Sequence, residues 1–451
     1  MATLLDHNPD PQNLYAGLIS GQKFAVIPEL VLDSGEVLES CPVAYKTWGR
    51  LNDTRDNVLV ICHALTGSSD ISDWWSPLLG RGKAFDPAHF FIFCANVLGS
   101  PYGSASPLTT DPRTGQPYAS EFPQTTVRDD VRAHKYVLDA LGVQSIVAVI
   151  GGSMGGMTTL EWPLCTTLGY VKSIIPIATA ADHCAWGISW AETQRQCIYS
   201  DPKFDDGYYE PCPEGQPSAG LAAARMVAML TYRSCVSFDN RFGRKPQRQK
   251  PGPVQEPPLD LPRTDVPVAT TPPTSPNSKE RSNRKSWGAK RDPSFSAQGY
   301  LHYQGQKFVQ RFDANCYLHI TNKMDAHDVT LGRSYTQEDS NATDCVLRDV
   351  FAKVPPGALV VSVETDALFL PEQQERLAAC LPDASLAMLK SSDGHDGFLL
   401  EFEQLGTLIV EKLKKGFPHF YSSINNDCGL LDDEHTAQPG GASLTGEVEA
   451  W

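Results

Sequence analysis

The sequence lacks a run of eighteen uninterrupted apolar residues, which a membrane-spanning helix requires. The first twelve residues are polar and include acidic side chains, whereas signal and transit peptides carry basic or apolar residues there. A positive excess, which would favour binding to nucleic acid, is also missing, because the net charge is −15. These absences predict a cytoplasmic protein with no membrane partner and no nucleic-acid partner.

Twelve cysteines are present, but they form no CxxC pair and no Cys/His cluster at the spacing of metal ligands. Cys62 and Cys94 lie inside apolar runs, a position typical of buried thiols. Scattered thiols of this kind are typical of a reducing compartment. The sequence therefore predicts reduced cysteines and no metal site.

The apolar residues form short β-branched runs separated by helical segments. The 451 residues, 41% of them hydrophobic, suffice for one large domain with an accessory piece. Continuous apolar runs of this length indicate strands buried on both faces. Because these runs alternate with helices, the fold class is predicted as α/β with a mostly parallel sheet and flanking helices. The predicted strands cover residues 57–65, 90–98, 145–150, 173–179, 359–364 and 385–389.

The alternation stops between about residues 181 and 334, where no convincing strand occurs. An inserted helical lid explains this interruption. The lid, residues 181–334, would then separate two parts of the core, residues 14–180 and 335–418. Its predicted helices cover residues 188–200, 221–232 and 300–323.

The lid contains a segment of different composition, residues 244–291. This segment holds ten prolines, eleven basic residues and four acidic residues, with few apolar ones. It cannot bury enough apolar surface to offset its ordering entropy, so it is predicted to be a disordered loop. A docking role for its basic charges is the alternative. The tail, residues 421–451, contains Gly, Ser and acidic residues and is also predicted to be mobile.

The strand predicted at 145–150 runs directly into Gly-Gly-Ser-Met-Gly-Gly at 151–156, and a helical segment follows. A serine on such a tight turn presents its hydroxyl outward, and the flanking glycines let strand and helix approach each other. This order is typical of a nucleophile elbow. A phosphate-binding loop is disfavoured, because neither Lys-Ser/Thr nor GxGxxG spacing is present. Ser153 is therefore the predicted nucleophile.

A serine nucleophile needs a histidine base that a carboxylate orients, and in folds with this elbow the chain order is Ser, Asp, His. His395 lies in a turn-rich segment after the last predicted strand, whereas the two later histidines lie in or beside the tail. Asp366 follows the end of the preceding strand, and Glu364 is its rival. The predicted catalytic residues are Ser153, Asp366 and His395.

Acyl transfer also needs N–H donors for the oxyanion. Met154, directly after the nucleophile, offers one donor, and Leu65 offers another in the turn after the first predicted strand. His63 lies in the same turn, near the strand end, which favours a structural hydrogen-bonding role over a role as base. The predicted oxyanion hole therefore comprises Leu65 and Met154.

Nine short motifs along the chain form a joint pattern. They are Tyr-Lys-Thr-Trp-Gly-Arg-Leu-Asn at 45–52, His-Ala-Leu-Thr-Gly-Ser at 63–68, Trp-Trp at 74–75, Asn-Val-Leu-Gly-Ser at 96–100, the serine motif at 151–156, Leu-Glu-Trp at 160–162, Phe-Asp-Ala-Asn at 312–315, Asp-Ala-His-Asp at 325–328 and Gly-His-Asp at 394–396. Together they resemble the homoserine O-acetyltransferases. The resemblance covers about residues 14–417, except the Pro-rich insertion.

The resemblance implies an α/β-hydrolase enzyme with a helical lid that passes acetyl from acetyl-CoA through an acyl-serine to L-homoserine, in methionine biosynthesis. It implies acetyl-CoA as a co-substrate, no bound cofactor and a homodimer. The family's triad falls on the three residues named above. The family's carboxylate-binding arginine falls on Arg225 in Gly-Leu-Ala-Ala-Ala-Arg, Tyr232 would line the same pocket, and Asp396 would hold the substrate ammonium group.

The sequence departs from the family pattern at two places. Glu364 and Thr365 stand before Asp366, where a serine often precedes the acid, and the lid carries its long insertion. Acetylation of serine or of deacetylcephalosporin C, as in relatives of the same group, and ester hydrolysis are the alternative functions. Water and an alcohol attack the same acyl-serine, so a closed pocket with a charge for each end of the acceptor favours transfer.

Overall fold

The computed structural model describes residues 1–247, 295–333 and 344–422. The predicted disordered loop lies outside the described residues from 248 onward, and the predicted mobile tail lies outside them from 423 onward. In the described part, no helix is both long enough and apolar enough to cross a membrane.

A single nine-stranded sheet forms the centre of the molecule, in the order β1-β2-β3-β5-β4-β6-β7-β8-β9. The last six strands in this order are parallel to one another, and β1, β2 and β3 add an antiparallel edge. The prediction of a mostly parallel sheet is therefore confirmed, although the antiparallel edge was not predicted. The strands are β1 (Thr3–Leu5), β2 (Lys23–Val31), β3 (Val37–Trp48), β4 (Val58–Cys62), β5 (Phe91–Ala95), β6 (Ile146–Gly152), β7 (Ile174–Ile177), β8 (Leu359–Val363) and β9 (Ser385–Leu389).

Helices cover both faces of the sheet. The described helices are α1 (Ile71–Trp74), α2 (Val127–Ala140), α3 (Met154–Cys165), α4 (Ala185–Tyr199), α5 (Ser218–Tyr232), α6 (Cys235–Arg241), α7 (Ser296–Val309), α8 (Ala314–Asp325), α9 (Asp344–Phe351), α10 (Pro371–Cys380), α11 (Gly397–Leu400) and α12 (Phe402–Gly416). Side chains of α2, α3, α9 and α10 pack on one face, and those of α1, α11 and α12 pack on the other. Successive residues of β4 alternate between these two apolar clusters, which explains why the strand reads as a continuous apolar run.

Helices α4 to α8 lie between β7 and β8 in the chain and pack on one another, with a third apolar cluster beneath them. An isolated bridge between Asp182 and Asp328 joins the start and the end of this layer. The prediction of one continuous helix at 300–323 is wrong, because the chain forms two helices there, α7 and α8. The Asp313 side chain caps α8 by accepting a hydrogen bond of 3.0 Å from the Cys316 N–H, so a new helix begins at that point.

Candidate active site

Ser153 lies between the end of β6 and the start of α3, with φ 58° and ψ −124°. This left-handed conformation is rare for a residue with a side chain. The turn requires glycine at its flanks, because a Cβ at Gly155 would lie 2.1 Å from the Cys62 carbonyl oxygen, and one at Gly151 would lie 2.4 Å from the Gly155 carbonyl oxygen. The strand and the helix therefore approach closely enough to hold the Ser153 hydroxyl at the carboxyl edge of the sheet.

Asp366 and His395 lie on loops that follow β8 and β9, at the same edge of the sheet. The distance between His395 Nδ1 and Asp366 Oδ2 is 2.6 Å. Asp366 Oδ1 accepts backbone N–H bonds from Leu368 and Phe369, both at 2.9 Å. Both oxygens of this buried carboxylate are thus held, and one of them fixes the imidazole. The rival Glu364 is exposed to solvent, and the contact with His395 is made by Asp366.

Thr365, the departure from the family pattern before Asp366, ties these two loops together. Its hydroxyl donates to the Ser391 carbonyl oxygen at 2.9 Å and accepts from the Gly394 N–H at 3.0 Å. A serine hydroxyl could make the same two bonds. The threonine therefore positions the loop of His395 relative to that of Asp366.

The imidazole of His395 is 3% exposed and lies between two aromatic rings. Phe369 stacks on it with a centroid distance of 5.3 Å, and Phe398 meets it edge to face, also at 5.3 Å. Burial by itself lowers the pKa of His395, but the charge and hydrogen bond of Asp366, with a contribution from Asp396, raise the pKa above its usual value. His395 Nε2 forms no hydrogen bond within the described residues. This nitrogen can therefore accept a proton from a hydroxyl in the pocket.

Leu65 and Met154 carry the predicted oxyanion donors. Met154 is the first residue of α3, so its N–H has no acceptor within the helix. His63 Nε2 accepts a hydrogen bond of 3.1 Å from the Val97 N–H. His63 Nδ1 donates a hydrogen bond of 2.8 Å to the Ala64 carbonyl oxygen. Because a trans peptide directs its C=O and N–H oppositely, this bond turns the Leu65 N–H away from His63.

His63 is uncharged in this arrangement, since burial lowers its pKa to about 4. Only a neutral ring donates at Nδ1 while accepting at Nε2. Both of its nitrogens are engaged by backbone groups, so His63 has the structural role that its position in the sequence indicated.

One pocket of about 840 Å³ lies between the sheet edge and the helical layer. Met154 packs below it, in the apolar cluster under that layer. Asp366 does not line the pocket either and contacts it through His395. The predicted site residues that do line the pocket are Leu65, Ser153, Arg225, Tyr232, His395 and Asp396.

Arg225, on α5, is a buried cation at the wall of this pocket, 2% exposed. Its Nη1 lies 3.4 Å from the Thr66 hydroxyl, and its guanidinium lies over the Phe308 ring at 4.9 Å and the Tyr232 ring at 5.7 Å. No carboxylate of the described residues lies within 4 Å of this guanidinium, and its Nε forms no hydrogen bond with them. A buried cation in this state is suited to an anionic group of a ligand.

Asp396 follows His395 directly in the chain and is already paired. Its Oδ2 is 2.6 Å from Nε of Arg233. Burial raises the pKa of Asp396, although the charges of Arg233, His395 and Arg225 act against this rise. Arg233 was not predicted as a partner of Asp396, because an arginine at the end of a predicted helix reads as a solvated charge.

A cluster of three or more His, Cys, Asp or Glu side chains that could hold a metal ion does not occur in residues 1–247, 295–333 and 344–422. Among its polar groups, the pocket holds those that acyl transfer uses: a serine hydroxyl and a histidine paired with a carboxylate.

A mostly parallel sheet whose central strand β6 ends in a strained serine, with an Asp–His pair on the loops of later strands, defines an enzyme of the α/β-hydrolase class. A family model described as alpha/beta hydrolase fold matches residues 57–402.

Three homoserine O-acetyltransferases are similar to this chain over most of their length. That of Cryptococcus neoformans var. grubii is 45% identical and covers 99% of each chain. That of Saccharomyces cerevisiae is 47% identical over 88% of this chain and 87% of the yeast protein. That of Schizosaccharomyces pombe is 43% identical over 98% of this chain and 96% of the S. pombe protein. The chain belongs to the homoserine O-acetyltransferase family.

Solved structures show the same fold at lower identity. The homoserine O-acetyltransferase from Bacillus anthracis has a TM-score of 0.69 and 21% identity, covering 87% of this chain and 97% of the other. An acetylester hydrolase from Corynebacterium glutamicum also has a TM-score of 0.69 and 21% identity, covering 90% of this chain and 100% of the hydrolase. A transferase and a hydrolase thus share this fold, and only the site can distinguish the two reactions.

Proposed function

We propose that this enzyme transfers acetyl from acetyl-CoA to the side-chain hydroxyl of L-homoserine, through an acetyl-Ser153 intermediate, as a step of methionine biosynthesis. The observation that carries the proposal is the pairing of opposite charges in one pocket with the triad. Arg225 is a buried cation with no carboxylate within 4 Å among the described residues, and Asp396 is a buried carboxylate beside His395. An amino acid with a free carboxylate, a free ammonium group and a hydroxyl matches these three elements.

In the first half-reaction, Ser153 attacks the thioester carbonyl while His395 Nε2 takes the hydroxyl proton. The Asp366 carboxylate stabilises the resulting imidazolium at Nδ1. The N–H groups of Leu65 and Met154 stabilise the oxyanion. The C–S bond then breaks, His395 returns the proton to the sulfur, and free CoA leaves acetylated Ser153.

In the second half-reaction, the homoserine hydroxyl takes the place of the departed thiol. His395 removes its proton as the oxygen attacks the acetyl carbonyl, and the same N–H donors stabilise the second oxyanion. When the bond to Ser153 Oγ breaks, His395 protonates that oxygen. O-acetylhomoserine leaves and the free serine is restored.

The acceptor is held by its two charged ends in this proposal, with its carboxylate at Arg225 and its ammonium group at Asp396. Tyr232, which lines the pocket beside Arg225, would limit the space around the carboxylate. Fixing both ends places the hydroxyl next to His395 and favours transfer over attack by water.

The acceptor is tested by incubating the protein with acetyl-CoA and, separately, homoserine, serine or buffer alone, following CoA release and product mass. We expect homoserine to have the highest kcat/KM, because serine is one methylene shorter and a displacement of about 1 Å can cost roughly a hundredfold in rate. Equal or better kcat/KM for serine would contradict the acceptor. CoA release at full rate in buffer alone would indicate a hydrolase instead.

Substitution of Arg225 should separate the two half-reactions. In Arg225→Ala we expect kcat/KM for homoserine to fall by roughly 30-fold or more, because the acceptor carboxylate loses a buried charged partner. Acetyl-enzyme formation from acetyl-CoA alone should stay within about threefold of the unsubstituted enzyme. Arg225→Lys is the matched control and should retain more acceptor binding, since it keeps the charge but loses the planar fork. A parallel loss in both half-reactions would contradict the assignment.

We further propose that the enzyme acts in the cytoplasm as a homodimer, as the family resemblance implies. Light scattering should then give a mass near twice the 49.3 kDa of one chain.

A further inference from the structure

We infer that Arg233 is a positioning residue for acceptor binding: it holds the Asp396 carboxylate in the orientation and the charge state that capture the acceptor's ammonium group. This inference rests on the proposed function, which places the ammonium group at Asp396.

Arg233 is the first residue after α5, and only 2% of its side chain is exposed. Its Nε lies 2.6 Å from Asp396 Oδ2, and its Nη1 donates to Asp393 Oδ1 at 3.1 Å. One guanidinium therefore binds a carboxylate on each side of His395. Because the ion pair with Asp396 and the hydrogen bond to Asp393 come from one rigid planar group, the orientation of Asp396 depends on where α5 ends.

The chain segments that carry these groups are in direct contact. Gly394 has φ 71°, and a Cβ there would lie 2.6 Å from the Ser234 nitrogen. The Ser234 hydroxyl donates to the Ser392 carbonyl oxygen, and the Ser237 hydroxyl donates to Asp393 Oδ1 at 2.6 Å. The junction between α5 and α6 is thus fastened to the loop of His395, with Arg233 as its charged component.

The carboxylate must be ionised to bind an ammonium group, and its surroundings oppose ionisation. Burial raises the pKa of Asp396, and Arg233 is the strongest of the neighbouring charges that lower it, ahead of His395 and Arg225. Asp393, on the same loop, is a second negative charge that Arg233 also neutralises.

Arg233 has a second effect on the geometry of the pocket. Arg225 and Asp396 line the same pocket, so a carboxylate released from Arg233 can turn toward Arg225. Such a pair would occupy both groups that we propose for the acceptor. Held at Oδ2 by Arg233, Asp396 keeps Oδ1 for the ligand, and Oδ1 forms no hydrogen bond with the described residues.

Arg233→Gln tests the inference because it removes the charge and keeps a side chain of similar polarity. We expect kcat/KM for homoserine at pH 7 to fall roughly tenfold or more, mainly through KM, as expected when a buried ion pair loses one partner. Acetyl-enzyme formation from acetyl-CoA alone should remain within about threefold. As pH rises toward the pKa of the homoserine amine, the variant should recover, because Asp396 loses its proton.

Asp396 can change the pH profile of acetyl-enzyme formation only through the pKa of His395, an effect that both half-reactions share. The ratio of the two profiles therefore isolates the binding of the ammonium group by the Asp396 carboxylate. Arg233→Lys should show a smaller loss and a profile closer to that of the unsubstituted enzyme, and it keeps the test valid if Arg233→Gln does not fold. Arg113→Gln, which removes the ion pair with Asp111 at 2.9 Å outside the pocket, is the control and should change neither half-reaction.

Two results would overturn the inference. Equal losses in acetyl-enzyme formation and in acceptor kcat/KM would show that Arg233 merely supports the His395 loop. An unchanged KM for homoserine with an unchanged pH profile would show that Asp396 does not depend on it. Failure of the proposed function is distinguishable from both, because the unsubstituted enzyme would then not use homoserine as acceptor.

Discussion

Ser153→Ala should abolish acetyl-enzyme formation and lower turnover by roughly 10⁴-fold or more, the range in which loss of the nucleophile acts in serine enzymes. Alanine removes the only atom that can form the covalent intermediate while keeping the β6–α3 turn nearly unchanged in volume. Intact mass spectrometry after mixing with acetyl-CoA alone should show one added acetyl group in the unsubstituted enzyme and none in the variant.

Ser173→Ala is a matched control for this experiment. Ser173 is also buried, directly before β7 in the same sheet, and its hydroxyl forms no hydrogen bond within the described residues. Its loss should leave both the acetylated mass and the turnover unchanged. Near-normal turnover in Ser153→Ala, or an acetyl group on another residue, would disprove the proposed intermediate.

Asp366→Asn should lower kcat by roughly 10⁴-fold without unfolding the chain, as loss of the orienting charge does in other serine triads. An amide at this position can donate to His395 Nδ1 and thereby favour the tautomer in which Nε2 carries the proton and cannot accept one. The variant also removes the charge that offsets burial, so the pKa of His395 should fall and the acidic limb of the pH–rate profile should move to lower pH.

Glu364→Gln is the control for the acid, because Glu364 is exposed and lies two residues before Asp366. We expect a change of less than about threefold in kcat. If Glu364→Gln were the more damaging substitution, the orienting acid would have to be reassigned. Thermal unfolding of both variants would show that neither effect comes from loss of the fold.

Five of the six parallel strands, β4 to β8, were predictable because each is buried on both faces and therefore reads as a continuous apolar run. The antiparallel edge gave no such signal. Pro28 lies inside β2 and Pro42 inside β3, and a proline within a run argues against a strand. Both strands are also only partly buried, so polar residues interrupt the pattern. Tertiary pairing decided their conformation, because β3 pairs with β5 and β2 pairs with β3.

The Asp–His pair at 2.6 Å involves the two residues that the motif order and the strand ends indicated. The pairing of Asp396 with Arg233 could not be read from the sequence, since the two residues are far apart in the chain and no spacing links them. The break between α7 and α8 was missed for a similar reason. Phe312 continues the helical apolar spacing from Phe308, and only the capping residue Asp313 signals the interruption.

The position of the helical layer in the chain has a consequence for how the enzyme folds. Ser153 precedes this layer, whereas Asp366 and His395 follow it, and the two parts of the sheet join where β7 pairs with β8 through Ile177 and Val361. Closing so long a loop makes this pairing a slow, non-local event. Catalytic competence is therefore acquired only when the two parts of the sheet have joined, so regain of activity during refolding reports on that step rather than on formation of either part.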